Sequence, residues 1–179
     1  MVRPPGRRNL HRNLPQLMLQ AREALMARFR PILNENGLTE QQWRILRALL
    51  INGPLEPRQL CELCQISSPS ITGVLVRMEE AGMVERARMQ DDQRRLKVSV
   101  TARSRQLGKR MFPAIDAQYA RIEDVVGADA LNHVYNVLDA LLGALGHAPA
   151  PTQAPAEKRS RRTSTRRANG RTAARPHTQ

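Results

Sequence analysis

A chain of 179 residues with two cysteines and a formal net charge of +13 has room for one domain with tails. It is not a disulfide scaffold. Charge interrupts every apolar run well short of the ~18 residues a membrane span needs, so a soluble, cytoplasmic protein is expected. Charge is distributed unevenly: residues 1–15 carry +4, residues 55–110 carry +4, residues 111–146 carry −4 and residues 147–179 carry +7. A basic middle between basic ends suits a polyanion such as nucleic acid, although a basic surface can also serve solubility alone.

From Asn13 to Leu33, apolar residues fall at Leu14, Leu17, Met18, Ala21, Leu25, Phe29, Ile32 and Leu33, the stripe of an amphipathic helix. Pro31 predicts a kink or an end there. Gly37 suits a left-handed cap and Thr39 an N-cap for a helix over 40–51, which Asn52-Gly53-Pro54 ends. A short helix over 57–66 starts at Pro57.

The stretch "SSPSITGVLVRMEEAGMVERARM" (67–89) is the most informative. Ser67 reads as an N-cap and Pro69 is tolerated in the first turn. Ile71, Val74, Leu75 and Met78 form an inward face, and Gly82 ends the helix. Residues 83–88 and 95–100 read as two strands, the second alternating through Leu96, Val98 and Val100, around a polar turn at 89–94. Thr101 can cap a long helix reaching about Val126, with a kink or break expected at Pro113. A last helix spans 131–145, with Leu131, Val134, Leu138, Leu141, Leu142 and Leu145 as its stripe. Residues 147–179 contain no aromatic or β-branched aliphatic residue and are rich in Pro, Ala, Ser, Thr and Arg, the composition of a disordered tail.

Helix, short helix, capped helix and hairpin in this order make a winged helix-turn-helix, a mainly α fold with a small β wing. Its second helix enters the major groove N-terminus first. Short polar side chains let that backbone approach DNA and hydrogen-bond phosphates and base edges. Ser68, Pro69, Ser70, Thr72 and Gly73 form such an end, and Arg77 can reach a phosphate or a guanine. Ser67 and Ser70 can equally serve as caps. Arg88 ends the first strand, Arg94 closes the turn and Arg95 opens the second strand, so the hairpin is built around a basic turn.

The segments "LTEQQWRILRAL", "LCELCQISSPSITGVLVRMEEAGMVER" and "DDQRRLKVSVT" together resemble the multiple-antibiotic-resistance-regulator (MarR) family of bacterial transcription factors, over roughly residues 10–146. More narrowly, "QAREALMARFRPILNENGLTEQQWRILR" resembles the subgroup that regulates homoprotocatechuate (4-hydroxyphenylacetate) degradation operons.

The resemblance implies a homodimer whose first and last helices intertwine, with two winged lobes on a pseudopalindromic double-stranded operator. The exposed seam such helices would leave in a monomer agrees with this, and two-fold symmetry sets half-sites roughly 34 Å apart. It divides the chain into a basic arm (1–12), a dimerisation helix (13–37), a winged helix-turn-helix domain (38–100), dimerisation helices (101–146) and the tail (147–179). It also implies that Arg94 and Arg95 approach the DNA backbone or minor groove, oriented by Asp91 or Asp92; a solvated turn is the plainer alternative. Gly73 departs from the family, many of whose members carry a basic residue there.

For the effector, the resemblance implies an aromatic carboxylate held by Trp43, Arg47 one turn on, and Tyr119, with Arg22, His11 and Asn13 as weaker additions. An indole beside a guanidinium suits that ligand, while a core tryptophan and a surface salt bridge are the plainer alternatives. No metal or other cofactor is implied. Cys61 and Cys64 lack the two further ligands of a zinc site and fall where apolar residues should pack. A redox-sensing regulator is the minor reading of that pair, and a sequence-independent architectural DNA binder is the alternative reading of the basic tails. No phosphate loop or nucleophilic grouping points to an enzyme.

Overall fold

The computed structural model describes residues 13–88 and 95–147. The elements run α1 (Leu14–Glu35), α2 (Glu40–Asn52), α3 (Pro57–Cys64), α4 (Ser68–Glu80), β1 (Val84–Arg88), β2 (Leu96–Val100), α5 (Ala102–Val126) and α6 (Ala128–Ala144).

Local chemistry fixes most of the boundaries. The Asn13 side chain accepts from the Gln16 N–H at 3.1 Å and starts α1. Thr39 and Gln42 form a reciprocal capping box at the head of α2, at 3.2 and 2.9 Å. The Thr101 side chain accepts from the Ser104 N–H at 3.2 Å and donates to the Gly82 carbonyl at 2.9 Å, starting α5 and closing the base of the hairpin. Gly82, at φ +64°, ends α4: its N–H reaches the Glu79 carbonyl and the Met83 N–H reaches Met78, both at 2.8 Å.

Neither proline ends or breaks its helix. α1 runs through Pro31 to Glu35, and α5 runs through Pro113 to Val126. Each proline is exposed, so water can serve the carbonyl left without a partner, and each lies between two buried anchors on its own helix. Phe29 and Leu33 flank Pro31, and Met111 and Ile115 flank Pro113. Packing on both sides overrides a local cost of about 3 kcal/mol. The last helix also starts earlier than its stripe suggested, directly after Gly127 at φ +89°.

β1 and β2 pair antiparallel in the register Val84↔Val100 to Arg88↔Leu96. The other edge of β2 takes Leu55, through Leu55 N–H to Val98 carbonyl at 3.0 Å and the reverse bond at 2.8 Å. The wing is thereby stitched to the segment that leads into α3.

One core joins these elements. Ile45, Leu46 and Leu49 of α2, Leu60 of α3, Ile71, Leu75 and Met78 of α4, Val84 and Val98 of the wing, and Met111 of α5 are buried together with Phe29 and Leu33 of α1. Each such side chain removed from water is worth about 1.5–3 kcal/mol, so this cluster sets the angle between α3 and α4. α5 approaches α2 closely at the buried Gly108, where a Cβ would lie 2.6 Å from Leu50 Cδ1. α6 contributes nothing to the core: it packs on α5 and none of its residues is buried. No described helix is long and apolar enough to cross a membrane.

Candidate nucleic-acid interface and effector region

The turn between α3 and α4 is held tightly. Gln65 takes a left-handed conformation at φ 49°, and its side chain donates to the Glu62 carbonyl at 2.7 Å. Arg44 Nη1 of α2 donates to the Cys64 carbonyl at 2.6 Å. α4 therefore starts at a fixed place, with Ser68, Pro69, Ser70 and Thr72 exposed on its first turns.

Ser67 occupies the N-cap position, but its hydroxyl does not cap the helix. It donates to the Ser70 hydroxyl at 2.8 Å, and the helix has no side-chain cap bond. The first-turn N–H groups are thus not consumed by a cap, which leaves a helix end suited to an anion. Thr72 turns its hydroxyl back to the Ser68 carbonyl at 3.3 Å. Gly73 is half-buried, and the Arg77 guanidinium folds over it: an added Cβ would meet Nη1 at 3.5 Å. Arg77 also edges an open groove of about 270 Å³ with Thr39, Glu40, Gln41, Gln42 and Val74.

The wing is tied to both helices of this unit by ion pairs. Arg86 of β1 donates to Glu79 of α4, from Nε at 2.7 Å and also from Nη2. Arg95, just before β2, donates to Glu56, just before α3, from Nε at 3.0 Å and also from Nη2. Arg88 is exposed at the end of β1. Arg94, Asp91 and Asp92 lie outside the described residues; among the described residues Glu56 holds Arg95 and Glu79 holds Arg86. Glu56, Glu79, Arg86 and Arg44 were missed in the sequence, because partners up to 39 residues apart leave no local periodicity.

The effector candidates are gathered only in part. Trp43 is buried at 7 % exposure, with its ring 6.0 Å from Phe112 of α5, so in this chain it is packed as a core aromatic. Arg47 is half-buried. Tyr119 is partly exposed, its ring 4.9 Å from Phe29 of α1. The residue overlooked is Tyr135 of α6. Burial raises the pKa of its hydroxyl and the neighbouring Tyr119 adds to the rise, while the positive charge of Arg47 opposes it. Arg47, Tyr119 and Tyr135 therefore share one electrostatic neighbourhood, with Trp43 and Phe112 packed nearby on α2 and α5.

The weaker additions fall elsewhere. Arg22 donates to Glu40 at 2.8 Å, in a network where Arg30 grips Glu23 twice, at 2.5 and 2.7 Å, and Glu40 once, at 2.7 Å. Asn13 is committed to capping α1, and His11 lies outside the described residues. Cys64 is buried, and burial pushes its thiol up to about 11. Cys61 is half-buried beside it. Among the described residues no group of three or more His, Cys, Asp or Glu is placed to hold a metal ion.

Comparison with known proteins agrees with this geometry. Residues 36–95 match the sequence profile of the MarR family. The chain is 43 % identical to the HTH-type transcriptional regulator FarR of Neisseria gonorrhoeae, over 64 % of this chain and 78 % of that protein. It is 38 % identical to the homoprotocatechuate degradative operon repressor of Escherichia coli, over 77 % of this chain and 93 % of the repressor. The crystal structure of NadR in complex with 4-hydroxyphenylacetate superposes with a TM-score of 0.65 at 38 % identity, covering 79 % of this chain and 97 % of NadR.

Proposed function

The chain belongs to the MarR family of transcriptional regulators, and from that premise we propose that it represses an aromatic-acid catabolic operon and is released by an aromatic carboxylate. The observation that carries the DNA-binding part is the exposed head of α4, where Ser68, Ser70 and Thr72 are presented on a turn fixed by Arg44. Small polar side chains there allow close approach of the backbone, Arg77 supplies charge one to two turns later, and the wing arginines reach the flanking phosphates. Most of the affinity is then electrostatic and falls steeply with salt.

The dimer follows from what the chain leaves uncovered. On α1, Leu14, Leu17, Met18, Leu19 and Leu25 are exposed, and so are Val134, Val137 and Leu142 of α6 and Leu145 at its C-cap. A second copy buries both faces and places two α4 helices on successive major grooves of a pseudopalindrome.

For the effector, a relative that represses a homoprotocatechuate operon and a structural neighbour solved with 4-hydroxyphenylacetate support a hydroxyphenylacetate-like acid. Arg47 is the cation that would take its carboxylate, and Tyr119 lines the aromatic side. The ligand acts by binding one arrangement of the two lobes more tightly than the other.

The test is fluorescence anisotropy of the full chain on the duplex upstream of its own gene. The titrants are 4-hydroxyphenylacetate, homoprotocatechuate and aliphatic acids. Release by the arylacetates alone, lost in Arg47→Ala with DNA binding intact, is the expected result. Binding that ignores every acid would remove the effector assignment. Equal affinity for any duplex would replace a regulator with an architectural DNA binder.

A further inference from the structure

We propose that Glu56 is a positioning residue for DNA recognition: it holds the Arg95 guanidinium against the start of α3 and so fixes the place at which the wing presents that cation to the duplex. The inference rests on the reading of the chain as a sequence-specific DNA-binding regulator.

Both ends of the pair are anchored. Glu56 follows Leu55, whose backbone is bonded in both directions to Val98 at 3.0 and 2.8 Å. Its own N–H donates to Gln59 Oε1 at 2.9 Å. The carboxylate is therefore delivered from a rigid point. Arg95 immediately precedes β2, next to the last strand pair, Arg88↔Leu96, so it sits at the end of the hairpin where the two strands are joined. Nε and Nη2 both donate to one oxygen, Glu56 Oε1, which seats that oxygen in the fork of the guanidinium and fixes where the cation lies.

Glu56 is also the N-cap residue of α3, in a capping box with Gln59 that a glutamine could equally make, and that local role does not account for its tie to Arg95. The Arg95 side chain is 53 % exposed and that of Glu56 27 %, and pairs this exposed contribute little to folding. An acid on a DNA-facing surface also repels phosphate. Its benefit lies in ordering a long side chain before the duplex arrives, so that less freedom is lost on binding. In a simple basic surface Glu56 would be a liability. In a recognition surface it confines a cation to one register of the duplex.

The two roles predict opposite signs. Glu56→Gln removes a negative charge, so a bland role makes the protein bind every duplex as well as before or better. A positioning role lowers affinity for the duplex upstream of the protein's own gene by about three- to tenfold, leaves affinity for a shuffled duplex unchanged or raised, and keeps the salt slope, because Arg95 still reaches a phosphate. Arg95→Met lowers affinity and reduces the salt slope by about one. The double variant falls no further than Arg95→Met.

The exchanged pair, Glu56→Arg with Arg95→Glu, keeps the tie but moves the cation to α3. A merely structural tie would be rescued by it, whereas the positioning role predicts no recovery. The anisotropy titrations use both duplexes and several salt concentrations, and thermal melting of each variant reports folding. Wild-type protein that does not prefer its upstream duplex overturns the regulator reading and this inference together. Wild-type preference with undiminished binding by Glu56→Gln, independent multiplication of the two single effects, or rescue by the exchanged pair overturns this inference alone. Should Glu56→Gln melt early, the exchanged pair carries the test.

Discussion

Arg44 Nη1 lies 2.6 Å from the backbone carbonyl of Cys64, so the middle of α2 holds the last residue of α3 just ahead of the recognition helix. The neighbouring residue on α2, Trp43, is packed on Phe112 of α5. One helix therefore touches α5 through one residue and the α3–α4 turn through the next. A shift of α2 against α5 would be felt directly at the start of α4.

Arg44→Met keeps the apolar stem and removes the bond. A hydrogen bond from a charged donor contributes about 1.5–3 kcal/mol. Removing the buried Nε, which has no partner among the described residues, returns part of that. The expected net loss is about 1–2 kcal/mol in urea denaturation, with operator affinity falling more than folding stability alone explains. Unchanged affinity in a folded Arg44→Met protein would show that the turn keeps its geometry without this tie.

Cys64 gives a prediction of opposite character. Its thiol is buried and pushed up to about 11 from an ordinary value of 9.0, so at neutral pH it is almost entirely protonated and a poor nucleophile. Mild peroxide should leave DNA binding intact, and iodoacetamide should label Cys64 rapidly only in denaturant. For a thiol raised in the folded state, stability is complete below the unfolded value and is lost as pH rises through about 9 toward about 11. Cys64→Ala should remove that alkaline component. Loss of DNA binding traced by mass spectrometry to oxidised Cys64 would restore the redox-sensing reading.

The carboxylates work at the other end of the pH scale. Glu79 is held below the usual carboxylate range by hydrogen bonds from Arg86, and Glu23 by those from Arg30. At Glu40 burial pushes upward, but the hydrogen bonds from Arg30 and Arg22 outweigh it. Groups depressed in the folded state stabilise above their unfolded value, near 4.5, and lose that contribution as pH falls through the folded values. The urea midpoint should hold steady between pH 7 and about 5.5 and fall below about 4.5. The fall should be smaller in 1 M salt and shallower in a Glu40→Gln, Glu79→Gln double variant. An acid limb identical in that variant would assign it to other carboxylates.

What the sequence revealed of this fold follows from where the information is local. The Thr39 N-cap, the Gly82 stop and the alternation from Leu96 to Val100 each concern residues within a few positions of one another, and each appears where expected. Pro31 and Pro113 do not end or break their helices, because their local penalty is outweighed by Phe29, Leu33, Met111 and Ile115 packing against other elements. The exposed head of α4 was readable for a similar reason, since Ser68, Ser70, Thr72 and Arg77 follow one another on one helix. The ties that aim it were not. Glu56 to Arg95 and Arg44 to Cys64 join separate elements. Tyr135 went unnoticed because it stands among aliphatic residues of α6 and acquires meaning only beside Tyr119 and Arg47.

The same helix carries the last prediction. α6 is apolar, yet all its residues are at least partly exposed, with Val137 at 50 % and its C-cap Leu145 at 65 %. The first half of α1 is similar, with Leu19 at 56 %. Soluble monomers rarely leave such long apolar seams open. Because α6 contributes nothing to the core of one chain, a charge placed on it should spare the folding of the winged lobe and act on self-association. Val137→Glu with Leu142→Glu should shift the protein from dimer to monomer in multi-angle light scattering. The buried fold should persist by near-ultraviolet circular dichroism, since Trp43 lies far along the chain in a separate contact with Phe112. Operator affinity should fall by at least a hundredfold, because two half-sites bound by one dimer become two independent weak events. A dimer that survives both glutamates, with operator binding intact, would move the interface away from α6.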